Sequence, residues 1–212
     1  MKNSFKTIFS APLALIVNLL LIYVSFSLCR LLFIWVNHNY FTDLTFSHFW
    51  EMFRGGLVFD TSAILYTNAL YILLVLFPFH YKENPKYQSV VKWIFVITNM
   101  VMIIMNLVDT VYFQYSNRRT TTSVFSQFAN EDNLAFGYAL FKLYRTPKVN
   151  TQYRLVTYYL TYLIVLVAFI PLCVFGMRGG IGRDVRPITI SNANQYVNRP
   201  AETAIVLNTP FS

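Results

Sequence analysis

Between Pro12 and Trp35 the chain reads PLALIVNLLLIYVSFSLCRLLFIW, with a single charge, Arg30. Crossing the hydrocarbon core of a bilayer as a helix takes about 20 apolar residues. Three more runs reach that length: Gly56 to Phe79, Val90 to Phe113, and Val156 to Met177. The last is the most apolar, and its Pro171 is expected to kink it, as packed helices in a membrane tolerate. In lipid every backbone polar group must be satisfied within its own segment, so these runs predict an all-α polytopic bundle.

Composition agrees. Charged residues make up 12% of the 212, where a soluble domain carries about 25%. The net charge of +8 is scattered between apolar runs instead of forming a stripe. That pattern excludes nucleic acid as a partner and fits basic loops against anionic phospholipid. Lys2 and Lys6 precede the first run, which is too long for a cleaved signal and reads as a signal anchor. The N-terminus is therefore expected in the cytoplasm, at a bacterial inner membrane. Cys29 and Cys173 lie inside spans with no paired spacing and read as packing residues.

Phe46, Phe49, Trp50 and Phe53 recur at i, i+3, i+4 and i+7, one face of a helix. An amphipathic interfacial helix is expected near 45–54, ended by Gly55. Residues 114 to 155 pose a conflict. LAFGYALFKLY is apolar but only about half a span long. If it does not cross, Arg145, Lys148 and Arg154 fall outside, against the positive-inside rule. The loop charges favour a short or re-entrant fifth segment, so the expected architecture is four long spans plus that segment. The bundle occupies 1–177, and 178–212 reads as a polar extramembrane linker.

Arg30, Asp60 and Asp109 lie within the spans, where each charge costs about 2.5–3.5 kcal/mol at a helix centre. Such residues face the bundle interior and pair. Each is about four or five residues from the same end of its span, so at about 1.5 Å per residue they share one depth. Arg30 is expected to bridge to Asp60 or Asp109. The cluster reads either as a structural ion pair or as a contact for a lipid headgroup, with Arg118 and Arg119 just above it. Asn18, Asn68, Asn99 and Asn106 are expected to bond between helices. Tyr158, Tyr159 and Tyr162 read as part of an interfacial belt.

No phosphate loop, HExxH, GxSxG or paired-cysteine motif occurs, and His38, His48 and His80 are too dispersed for a shared metal. No catalytic or cofactor-binding residue is assigned to this chain.

Several segments in order resemble the N-terminal membrane domain of lipoteichoic-acid-synthase-like phosphoglycerol transferases and sulfatases. They are RLLF after Cys29, GGLVFDTS opening the second run, DTVYF followed by NRRTT, MRGGIGRDVRPITISNA, and NTPFS. The resemblance implies a bundle, normally of five spans, below an external domain of the alkaline phosphatase superfamily. That domain would carry a threonine nucleophile and a divalent metal, often manganese, and would act on phosphatidylglycerol or related phosphate or sulfate esters. Arg178, Gly179, Gly180, Arg186 and Pro187, then Asn208, Thr209, Pro210 and Phe211, match the family's linker. On this reading the chain is a non-catalytic anchor, possessing no active-site residue of its own. The alternative is a stand-alone membrane scaffold or transporter-like bundle.

Overall fold

The computed structural model describes residues 10–41, 45–116, 134–148, 155–179, 188–197 and 199–208. Among these there is no strand. The long helices are α1 (Ser10–Val36), α2 (Phe46–Thr67), α3 (Ala69–Leu76), α4 (Pro85–Ser116), α5 (Leu134–Leu143) and α6 (Leu155–Arg178). Two short helices follow, α7 (Ile190–Ala193) and α8 (Thr203–Val206). Helices α1, α4 and α6 are each long and apolar enough to cross a membrane. A fourth crossing arises only if α2 and α3, bent by 61° at a short break, count as one span. Three of the four long spans expected are therefore continuous helices of span length, and the fourth depends on counting the broken pair as one.

Asn68 makes the break. Its amide donates to the Ile64 carbonyl at 3.0 Å and to the Thr67 hydroxyl at 3.2 Å, competing locally with the helix ladder. The same amide exchanges bonds with Asn99 of α4 at 2.7 and 3.0 Å. Both residues are buried, so the bend is pinned against its neighbour by two amides that have no water to turn to. Asn18 works similarly. It donates to the Tyr71 hydroxyl and to the Arg145 carbonyl, and accepts from the Arg145 N–H. That ties α1 and α3 to the segment leaving α5.

The bundle has two unlike ends. At one, Ser10 accepts from the Lys148 N–H, and Tyr158 at the start of α6 donates to the Phe79 carbonyl. This end carries Lys82, Lys86, Lys92, Lys142, Arg145 and Lys148. At the other, Asn37 donates to the Thr110 carbonyl and Tyr40 to the Gln114 carbonyl. Ser62 donates there to the carbonyl of Met177, where α6 finishes. Helix α5 lies against the basic half of α4, with Gly137 facing Met100 and Phe141 facing Trp93. Because α4 ends at one end of the bundle and α5 at the other, the chain changes ends between them. Ser10 and the residues after α6 consequently lie at opposite ends.

Two expectations are corrected. Gly55 does not end an interfacial helix: α2 runs unbroken from Phe46 through Gly55 and Gly56 to Thr67. The aromatic face is thus the first two turns of a long helix, with Phe49–Phe53 and Trp50–Phe53 stacked along it. Tyr158 and Tyr162 are buried among the helices, not set out in a belt. The Tyr162 ring meets the Lys82 ammonium, and the Tyr158 hydroxyl donates to the Phe79 carbonyl. Trp35, Tyr81 and Trp93 remain at least half exposed, as belt residues should be.

Replacing Asn99 with Leu should lower unfolding stability in detergent by about 1 kcal/mol, because the Asn68 amide keeps its burial and loses its partner. The double variant with Asn68→Leu should recover part of that loss in the same titration. A single variant as stable as the parent would mean the amide pair does not hold the bend.

Candidate functional site

At the end away from Ser10, Arg30 of α1 reaches across to α2. Its Nη1 donates to Asp60 Oδ2 at 2.7 Å and its Nη2 to Asp60 Oδ1 at 2.8 Å, the parallel geometry that suits guanidinium and carboxylate. Both side chains are almost wholly buried, at 2% and 1% exposure. Removing two charges from water is costly unless the remaining donors and lone pairs are also satisfied. Here the satisfaction comes from the residues beyond the last long helix. Arg30 Nε donates to the Ile205 carbonyl at 3.0 Å and Nη2 to the Val206 carbonyl at 3.3 Å. Asn208 donates to Asp60 Oδ1 at 2.9 Å.

Those carbonyls belong to the last turn of α8, where a helix leaves its C=O groups without internal partners. Arg30 therefore caps α8 while it bridges α1 to α2. The sequence between is apolar: Ala204, Ile205, Val206 and Leu207 are buried with Phe33, Met52, Phe59 and Phe113 in one cluster. A second tie closes the rim. His48 on the first turn of α2 meets Glu202 at 2.9 Å, and Glu202 also accepts from the Arg199 N–H. The described part of 178–212, expected from sequence as a polar extramembrane linker, is thus packed onto this end of the bundle.

Gly56 makes the pair possible. It stands one helical turn before Asp60, and a Cβ there would collide with the Arg30 guanidinium. Gly55 gives the same clearance to the Tyr196 ring. Gly179, with φ of 73°, ends α6 in the left-handed region and packs on Ile188 and Val58, starting the return towards the pair.

Of the residues expected to cluster, Arg30 and Asp60 come together. Asp109 is fully buried on α4, but Asp60 is the carboxylate that Arg30 bonds. Arg118 and Arg119 lie outside the described residues. With four guanidinium N–H bonds directed at protein oxygens, a headgroup phosphate would have to displace α8 to reach Arg30. A cavity about the size of one water molecule lies beside the pair, lined by Arg30, Asp60, Asn106 and Asn208. Asn208 Oδ1 has no protein partner there.

Ile205 and Val206 were not picked out by sequence reasoning, and Asn208 was named only as part of the linker resemblance. The signal for them is the apolar quartet AIVL inside a polar tail, together with the glycine pair one turn before Asp60. Among the described residues no three of His, Cys, Asp and Glu gather. No family model matches the chain, and no curated protein or solved structure is significantly similar to it.

Asp60→Ala should destabilise the bundle by about 3–5 kcal/mol, because Arg30 is left buried and uncompensated. The tail from Arg199 to Asn208 should become protease-sensitive at the same time. Arg30→Met combined with Asp60→Leu should restore most of the stability while leaving the tail cleavable, since the carbonyls of Ile205 and Val206 still lack their donor. Gly56→Ala should cost about 1–3 kcal/mol through overpacking, read in the same unfolding assay. Parental stability and protection in all three would remove the pair from its central role.

Proposed function

We propose that this chain is the membrane-anchoring bundle of a cell-envelope enzyme of the phosphoglycerol transferase and LTA-synthase-type sulfatase kind, inert by itself. The observation that carries the reading is the clamp: the chain beyond the last span is bonded into the bundle at Arg30 and Asp60. A flexible tether would suffice to keep a protein near a membrane. A docked tail does more, because it fixes the height and direction in which the following residues leave. That is what a domain acting on lipid headgroups requires, since its site has to meet the headgroup plane.

Orientation follows from charge. Lys82, Lys86, Lys92, Lys142, Arg145 and Lys148 share one end, and the positive-inside rule makes that end cytoplasmic. The clamp then faces the outer leaflet, and the aromatic first turns of α2 suit its interface. Membrane lipids, anionic phospholipid included, are the expected surroundings. The manganese-type metal and the threonine nucleophile belong to the domain the resemblance implies, and no step of their chemistry falls on the residues described here.

Two measurements test this. Single cysteines at Tyr81 and at Glu51, in a variant with Cys29 and Cys173 replaced by Ala, should be labelled by impermeant maleimide from opposite sides, Glu51 from outside. Reading the coding sequence past Ser212 should reveal an in-frame domain with the superfamily's threonine and metal ligands. Labelling of both positions from one side, or a stop codon directly after Ser212, would overturn the reading.

A further inference from the structure

At the basic end, far from the clamp, Lys82 is buried. It stands on the turn between α3 and α4, with 3% of its surface exposed. Its ammonium donates to the Val75 carbonyl at 2.6 Å and sits 4.1 Å from the Tyr162 ring centroid. Among the described residues no carboxylate lies within salt-bridge distance of it. An ammonium has three protons, and a carbonyl with a ring face does not neutralise its charge. Burial accordingly pushes the Lys82 amine down to about 7.

A small cleft opens beside this ammonium, between the start of α1, the end of α3, the first turns of α4 and the segment after α5. Its polar lining consists of Lys82, Tyr87, Gln88 and Tyr144. Two of these are already committed. Tyr87 donates to the Leu74 carbonyl. Gln88 spends its amide on the carbonyls of Lys82 and Pro147, bracing the turn against the opposite wall. The Tyr144 hydroxyl, on a residue 6% exposed, lies towards the Tyr71 hydroxyl but makes no close hydrogen bond, so its own proton is left for the cleft. The cleft therefore offers a cation and a free hydroxyl donor, both buried, with an apolar floor of Ala11 and Val91. Exposed Arg145 and Lys148 flank Pro147 at its edge, and Lys92 lies over the Phe141 ring with Tyr144 next to it.

We propose that this cleft binds a phosphate group, one oxygen of which enters to meet the Lys82 ammonium and the Tyr144 hydroxyl. The volume suits a single oxygen, leaving the remainder of the group among the basic residues at the rim. Basic pockets between membrane helices are where anionic headgroups are held, and the bound charge would supply the partner that burial denies Lys82. Lipid headgroup and free inorganic phosphate share this chemistry. The site lies at the other end of the bundle and does not depend on the anchoring role proposed above.

The test uses the whole chain, stripped of lipid in maltoside micelles, with thermal unfolding as the readout. Phosphatidylglycerol added to the micelles should raise the melting temperature, and diacylglycerol, the same lipid without its phosphate, should not. Stabilisation by inorganic phosphate over equal ionic strength of chloride would identify the free ion as sufficient; stabilisation by the lipid alone would identify the headgroup. Lys82→Met should weaken the apparent affinity about tenfold or more. Tyr144→Phe, which deletes one oxygen and keeps the ring, should weaken it several-fold and serves as the deciding variant should Lys82→Met not fold. Equal stabilisation by diacylglycerol, no response to either phosphate source, or a Tyr144→Phe titration that overlays the parent would each overturn the proposal.

Discussion

A guanidinium and a carboxylate facing each other inside an apolar bundle are worth little unless everything around them is arranged in their favour. Attraction across 2.7 Å is large in a medium of low dielectric, but so is the cost of taking both ions from water. What tips the balance here is the number of additional partners. Arg30 has two backbone carbonyls from α8, and Asp60 has the Asn208 amide. The pair and the tail are mutually dependent. Without the tail, Arg30 and Asp60 would each lose hydrogen bonds where no protein group replaces them; without the pair, the last carbonyls of α8 would be buried with no donor.

This dependence organises the clamp end of the bundle. Gly56 is small because the guanidinium must pass it, and Gly55 is small because Tyr196 must. Phe33, Phe41 and Phe113 pack on one another around the site and, with Leu207 and its neighbours, separate it from bulk solvent. His48 and Glu202 fasten the outside edge. The aromatic turns of α2 extend beyond this rim as the continuation of the same helix that carries Asp60, so whatever depth they adopt in an interface is transmitted rigidly to the clamp.

Much of this was legible in the residues, and the parts that were not share a cause. Apolar runs of span length identify the helices because lipid leaves the backbone no alternative. The common depth of Arg30 and Asp60 follows from counting residues along two such helices. Other features depend on contacts between distant segments, which local pattern does not encode. Gly55 looks like a helix terminator until Tyr196, more than a hundred residues later, is placed against it. Asn68 looks like one polar residue in a span until Asn99 shows it to be half of an amide pair at a bend. The tail looks like a linker because its composition is polar, while the four residues that matter, Ala204 to Leu207, are too few to register as an element. Tyr158 and Tyr162 fit a belt equally well until Lys82 and Phe79 are found beside them.

The two ends of the bundle resolve the same physical problem in different ways. At one end a buried cation is neutralised by a carboxylate of the chain itself, and the arrangement is closed: its donors are used and its cavity holds about a single water. At the other end a buried cation has a carbonyl and a ring but, among the described residues, no anion, and the neighbouring Tyr144 hydroxyl makes no close hydrogen bond there. A buried charge without a counter-ion costs stability, so a fold retaining one beside a cleft gains most from a ligand that brings its own negative charge. The closed end is built to hold its own chain in place, whereas the open end has the donor set of a receptor. Which end carries which chemistry follows from where the carboxylates lie. Asp60 sits one turn beyond Gly56, in reach of Arg30, and among the described residues no carboxylate lies within salt-bridge distance of Lys82.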